Sequence, residues 1–264
     1  MTKADWNPQQ YAKFATERAQ PFNDLLALIR DRPVRDAVDL GCGPGELTRL
    51  AADELGCSSM VGIDNSPAML SRAQEHAGGA VRFEPGDIAT WTSDAQVNLV
   101  LAAASLQWVA DHRGVLGAWS AALRPGGQIA VQVPSNAAAP SHRIARHVAE
   151  TEPFVSAFGA AGPPADPVAD NVLAPEEYAE ILFQLGFVEQ HVRLQVYPHL
   201  LDRSRDVVEW VRGTTLTRFQ KVLQPDVFAE YLVAYERALI EEIGDRRPYF
   251  FPFRRVLMWG CLGG

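Results

Sequence analysis

Between residues 34 and 133, short apolar runs alternate with longer stretches whose apolar residues recur every three or four positions. That alternation predicts strand and helix in turn. "VRDAVDL" is predicted as the first strand and "ELTRLAADEL" as the helix behind it. "SMVGI" is the second strand, ended by Asp64. "SPAMLSRAQEHA" follows, with Ser66 suited to the N-cap and Pro67 to the first helical position. "AVRFEP", "VNLVLAAA" and "GQIAVQV" read as the third, fourth and fifth strands. They are rich in Val and Leu without strict polar alternation, as strands covered on both faces should be. The expectation is an α/β fold, a doubly wound and mostly parallel sheet.

The pattern changes after Pro134. Residues 135–174 are rich in Ala and Pro and show no clear strand, which predicts a loop-and-helix insertion. "APEEYAEILFQLGF" is a strong helix ending at Gly186, and "VEQHVRLQVYPH" covers a strand expected to end at Pro198, with His199 just after it. "SRDVVEWVRGTTLTRFQKVL" and "PDVFAEYLVAYERALIEEI" read as helices, and "FRRVLMWGC" as a last short strand. The expected organisation is an N-terminal helical lid over 1–33 and a ligand-binding core over 34–134. Residues 135–185 and 199–250 form a helical cap, and 186–198 and 251–264 return to the core. In the lid segment Trp6, Tyr11 and Phe14 fall on one amphipathic stretch fit to close over a ligand.

Composition narrows the partners. The chain has 264 residues, 47% hydrophobic and 21% charged, with a formal net charge of −8, which disfavours duplex nucleic acid or an anionic membrane as the main partner. Cys42, Cys57 and Cys261 are widely spaced and form no metal-ligand pattern, so reduced, structural thiols and no metal are expected. The first residues hold no apolar signal core, and no run approaches the ~18 apolar residues of a membrane span. A cytoplasmic protein with no obligate protein partner is expected.

The chemistry concentrates in "VDLGCGPGELT". Glycines in a strand–loop–helix unit let backbone approach a ligand closely. A dinucleotide fingerprint is G-x-G-x-x-G, whereas here Gly41, Gly43 and Gly45 alternate after Asp39. Pro44 removes a donor where a pyrophosphate would want one, and the Asp39 carboxylate would repel a phosphate while suiting a cationic amino group. That points away from NAD and towards S-adenosylmethionine, which carries an ammonium and a sulfonium. Asp64, at the end of the second strand, is placed to accept from both ribose hydroxyls. In "EPGDIATW", Asp87 can take the adenine amine while Ile88 covers the ring.

These residues, with "LRPGG" before the fifth strand, resemble the class I S-adenosylmethionine-dependent methyltransferases. The resemblance implies a seven-stranded sheet with the last strand antiparallel. It implies a cofactor across the carboxyl ends of the strands, with Asn65 and Ala103 joining Asp39, Gly41, Gly43, Gly45, Asp64, Asp87 and Ile88. "DWNPQQYAKFATERAQPFNDLL", "SPAML", "ASLQWVADH", "AVQVP" and "EWV" with Arg218 look further like the trans-aconitate 2-methyltransferase family, densely over residues 5–134 and patchily in the cap. That family esterifies one carboxylate of a small tricarboxylic acid.

A carboxylic acid is already ionised at neutral pH and needs no general base. Its catalyst must place an oxygen in line with the methyl group in a dry site. "SLQWV" is expected as a buried turn where acceptor and methyl meet, with Gln107 donating to an acceptor oxygen and Trp108 walling the sulfonium. The remaining carboxylates of a polycarboxylate substrate want cations, arginine above all. Tyr11, Arg18, His199, Arg218 and Arg255 are the candidates, Arg218 and Arg255 preferred over Arg212 on the family resemblance. An amine or phenol methyltransferase would want an acidic or general-base pocket instead, and a non-catalytic cofactor sensor would have no use for an intact "SLQW".

Overall fold

The computed structural model describes residues 15–30 and 33–264, with side chains from Gln20 onward. Seven strands form one sheet: β1 Asp36–Leu40, β2 Ser59–Asp64, β3 Val81–Pro85, β4 Val97–Ala103, β5 Leu123–Pro134, β6 Phe187–Leu201 and β7 Tyr249–Leu262. Their order is β3-β2-β1-β4-β5-β7-β6. The first five run parallel, and β7 is antiparallel to both β5 and β6. The expected α/β class and antiparallel last strand are both present. Chain order reverses between β1 and β4, so their carboxyl ends open the crevice in which such sheets bind ligands.

Because side chains alternate along a strand, the two faces of the sheet carry separate cores. One face presents Val38, Val100, Val131 and Met258 to α4 (His112–Ala121) and α8 (Pro175–Gln184). The other presents Ala37, Leu101, Ala130 and Trp259 to α1 (Ala15–Leu26) and α2 (Glu46–Leu55). Burial on both sides is why these strands read as continuous apolar runs. Trp119 of α4 is fully buried, a contribution of roughly 2–3 kcal/mol, and its Nε1 donates to the Ile88 carbonyl at 3.1 Å.

Local chemistry sets the helix ends near the crevice. α2 starts directly at Gly45 (φ 86°) with no side-chain cap and stops at left-handed Gly56. α3 (Pro67–Ala73) begins as its sequence indicates, with the Ser66 side chain accepting from the Met69 N–H and Pro67 in the first turn.

A third core belongs to the cap. It is formed by α5 (Pro140–Ala149), α6 (Phe154–Ala157), α9 (Asp206–Arg212), α10 (Thr217–Gln220) and α11 (Pro225–Ile243). Tyr231 and Tyr235 lie fully buried within it and donate to the carbonyls of Ala145 and Ser141. The 204–223 stretch, expected as one helix, is two short ones broken after Arg212, at Gly213 and the threonines that follow it.

The last two strands also differ from expectation. β7 spans 14 residues and β6 spans 15, so the last strand is not short, and His199 lies inside β6, opposite Phe251, instead of after it. The reason is that β6 and β7 outrun β5. Pro134 ends β5 opposite Arg255, whereas β6 and β7 stay paired from Arg255 out to Leu201 and Tyr249. Leu201 and Phe251 on this ribbon are buried in the cap core. Among the described residues, no helix is long and apolar enough to cross a membrane.

Candidate active site

At the end of β1 the chain turns through Gly41, Cys42, Gly43, Pro44 and Gly45. All three glycines are left-handed, with φ of 85°, 56° and 86°. Two are required by close approach as well. A Cβ on Gly41 would stand 2.2 Å from Ser105 Cβ, and one on Gly45 would stand 2.7 Å from the Phe83 ring. Gly43 differs, since a Cβ there meets nothing within 4 Å. The loop therefore packs its flanks tightly and leaves its centre open, the shape a ligand cradle needs.

Asp39, one residue before the end of β1, is buried. Its Oδ2 accepts from Thr48 Oγ1 at 2.5 Å, and among the described residues its Oδ1 is buried with no hydrogen-bond partner. Burial pushes its pKa up to about 7 against the lowering effect of the Thr48 hydroxyl, with the Asp64 charge adding to the rise. An orphaned buried carboxylate oxygen is costly unless a cation meets it. The ammonium of S-adenosylmethionine is such a cation, so the residues present fit that group.

Asp64 closes the second side. Its Oδ2 accepts from the Gly43 N–H at 2.9 Å and its Oδ1 from the Ser66 N–H at 2.8 Å. The remaining lone pairs can serve ribose hydroxyls. Asn65 beside it is exposed. Asp87 is also exposed just past β3, and its Oδ1 accepts from the Ala89 N–H. Ile88 is half-buried against the core. Ala103 ends β4 opposite Gln132. Ala104 follows with φ 57°, the one non-glycine in the left-handed region among the described residues. Strain of this kind gathers at functional turns.

Beyond Ala104 the Leu106–Trp108 turn carries the expected acceptor residues. Gln107 is buried, and its Nε2 donates to the Ala104 carbonyl at 2.7 Å, which keeps one amide hydrogen for an acceptor oxygen. Trp108 departs from expectation. It is 48% exposed, because the turn projects it outward while Leu106 and Gln107 point into the protein.

The predicted cations are not gathered in one place. Arg255 sits on β7 opposite Pro134, at the carboxyl edge of β5. Its Nη1 donates to buried Gln132 Oε1 at 2.7 Å, and its guanidinium lies over the Phe253 ring. Gln132 is in turn level with Ala103, the residue that ends β4. Arg218 lies elsewhere. Its Nη1 stands 2.8 Å from Asp166 Oδ2, with side chains only 12% and 6% exposed. The cavity of about 220 Å³ that it lines holds Glu150, Asp166 and Asp170 against Arg146 and Arg218. Three acids against two bases is the wrong sign for a polycarboxylate, and a clamp role for Arg218 does not follow from its placement. Nearby His142 is pushed down to about 4, chiefly by burial, and bonds Thr215 Oγ1 at 3.0 Å.

His199 is buried with its ring 4.5 Å from that of Trp210. Arg18 lies on the backbone of α1, its side chain outside the described set, and Tyr11, with Trp6 and Phe14, lies outside the described residues. Sequence reasoning passed over Thr48, Ser105 and Gln132. Thr48 stands inside the glycine-loop motif itself. Ser105 Oγ, which donates to the Leu40 carbonyl at 2.5 Å, had no signal beyond following a strand.

Comparison with known proteins agrees with this fold. A family described as "Methyltransferase domain" matches residues 37–127. A trans-aconitate 2-methyltransferase of Methylobacterium nodulans is 40% identical over 258 residues, covering 97% of each chain. One from Streptomyces avermitilis is 38% identical over 95% of this chain and 94% of its own. Among solved structures, the YcgJ protein from Bacillus subtilis shares the fold at a TM-score of 0.61 and 14% identity, over 93% of this chain and 99% of its own. A Haemonchus contortus phosphoethanolamine N-methyltransferase 2 in complex with S-adenosyl-L-methionine does so at 0.55 and 17%, over 92% and 53%.

Proposed function

The chain belongs to the trans-aconitate 2-methyltransferase family, and on that premise we propose that it converts trans-aconitate to its monomethyl ester with S-adenosylmethionine as donor. Buried Asp39 Oδ1, without a partner beside an open glycine loop, is the observation that carries the cofactor assignment. Bound there, the cofactor supplies an electrophilic methyl group on a cationic sulfur.

The chain's own residues then have positional work. Asp39 holds a positive charge at the floor of the site, and Asp64 accepts from hydroxyls while anchoring the loop through Gly43 and Ser66. Asp87 and Ile88 border the base, with Asn65 and Ala103 completing the rim. Gln107 offers its free amide hydrogen to the carboxylate that is methylated, and Trp108 screens the site mouth. Arg255, fixed by Gln132, binds a carboxylate that is not methylated. Arg18 and Tyr11 are assigned to the same acid by their place in the chain, and His199 adds a buried imidazole at the base of the cap.

The acceptor is an anion already, so no side chain has to remove a proton, and exclusion of water lowers the barrier by destabilising separated ions. Purified protein incubated with labelled donor and a panel of small polycarboxylates, amines and phenols tests the proposal. Label should enter trans-aconitate as a base-labile ester. Transfer to an amine or a phenol instead, or cofactor binding without transfer, would overturn it.

A further inference from the structure

The Leu106–Trp108 turn hangs beyond a strained Ala104, yet the carbonyls of Ser105, Leu106 and Gln107 are all taken. Ser105 O accepts from the Trp108 N–H at 3.1 Å, and Leu106 O from the Val109 N–H at 3.0 Å. Two side chains from outside the turn complete the set. His112 Nε2 lies 2.9 Å from Leu106 O, and Asn171 Nδ2 donates to Gln107 O at 2.9 Å. These are consecutive carbonyls, and the second belongs to the residue assigned to the acceptor carboxylate.

The hydrogen bonds fix the His112 tautomer. Tyr178 OH accepts from the Leu173 N–H at 3.2 Å, which leaves its single proton for His112 Nδ1 at 2.7 Å. His112 must then carry its own proton on Nε2 and donate it to Leu106 O. Asn171 arrives from a different direction. It ends α7 (Pro167–Asn171), whose first turn is capped by Asp166 Oδ1, accepting from the Val168 and Ala169 N–H groups. Asp166 is also the partner of Arg218, so the ion pair found in the cap holds the far end of the element that grips Gln107.

We propose that His112 and Asn171 are positioning residues, which lock the methyl-acceptor turn by holding two successive carbonyls, one from the α4 side and one from the cap. Both act through the backbone that carries Gln107, His112 at the Leu106 carbonyl and Asn171 at that of Gln107 itself. Their effect on rate rests on the methyl-transfer reading above, whereas their effect on the order of the turn does not. A misplacement of ~1 Å at a reacting group can lower a rate by up to about a hundredfold.

The test compares Asn171→Ala, His112→Phe and His112→Gln with the wild type. In His112→Gln the Gln amide reaches the place of Nε2 and keeps the donor to Leu106 O. Amide hydrogen exchange over residues 104–110 should speed up in Asn171→Ala and His112→Phe and return towards wild type in His112→Gln. With trans-aconitate, kcat should fall about tenfold or more in the first two, with S-adenosylhomocysteine affinity within twofold of wild type and recovery in His112→Gln. Unchanged exchange and unchanged kcat in Asn171→Ala would overturn the lock, even where His112→Phe fails to fold. Altered exchange in a protein that transfers no methyl group to trans-aconitate would keep the lock and refute the substrate.

Discussion

Gly41→Ala perturbs the loop and the acceptor turn at once. At φ 85° an L-residue is strained by roughly 1–2 kcal/mol. The added methyl would stand 2.2 Å from Ser105 Cβ and 2.9 Å from its Oγ, so Ser105 must move. Overpacking of this kind costs about 1–3 kcal/mol. Displacing Ser105 also breaks its bond to the Leu40 carbonyl, worth ~1 kcal/mol. The total, on the order of 3–6 kcal/mol, is a large share of the ~5–15 kcal/mol that holds a domain folded. Thermal unfolding should therefore shift down by about 10 °C or more, and S-adenosylhomocysteine affinity should fall with it. Gly41→Ala/Ser105→Gly removes the colliding Cβ and leaves only the backbone strain and the lost hydrogen bond. It should recover the overpacking share, which calorimetry on the wild type and the two variants would read directly. A single mutant as stable as wild type, or a double mutant no better than the single, would refute the reasoning.

Other outcomes follow from the same geometry. Asp39 is raised from its ordinary 3.8 to about 7, so between those values the folded protein holds more protons than the unfolded one. Stability of the cofactor-free protein should fall as pH rises from about 4 to 7 and level off above. Asp39→Asn should flatten that slope in thermal scans across pH while weakening cofactor binding. Asp64→Ala frees the Gly43 and Ser66 N–H groups and removes the ribose acceptor, so the Kd for S-adenosylhomocysteine should rise by at least about a hundredfold in calorimetric titration. Arg255→Ala should raise KM for trans-aconitate roughly 10- to 100-fold, the loss of one charge-assisted pair, and leave cofactor affinity unchanged. Arg218→Ala should act on stability instead, by ~3–5 kcal/mol in chemical unfolding, because it strands buried Asp166. Arg218→Ala/Asp166→Ala should win part of that back.

What could be read from the chain and what could not divide along physical lines. Strands covered on both faces announce themselves by composition, so β1 to β5 and the two acids at their ends, Asp39 and Asp64, were legible. Left-handed glycines at alternate positions are likewise a local property, and the loop fell where its spacing placed it. Partnership between distant residues is not local. Arg218 and Arg255 look alike in sequence, yet one is paired with Asp166 inside the cap and the other is bonded to Gln132, 123 positions away in the chain. The carbonyl contacts of His112 and Asn171 were invisible for the same reason. The ends of β6 and β7 were misjudged because their outer halves pack into the cap, where burial alternates as Tyr197, His199 and Leu201 in and their neighbours out. Trp108 was misplaced because an exposed aromatic at a turn has no signature that separates it from a core one.

The β6–β7 ladder, unbroken in register from Glu189 and Cys261 up to Leu201 and Tyr249, carries a lesson for protein engineers. A graft that exchanges residues 199–250 for the equivalent segment of a relative cuts across paired strands and puts foreign side chains against Phe251 and Phe253. Moving acceptor preference from one homologue to another therefore calls for a cassette that takes both long strands whole, with Gln132 kept as the seat for whatever residue arrives at position 255.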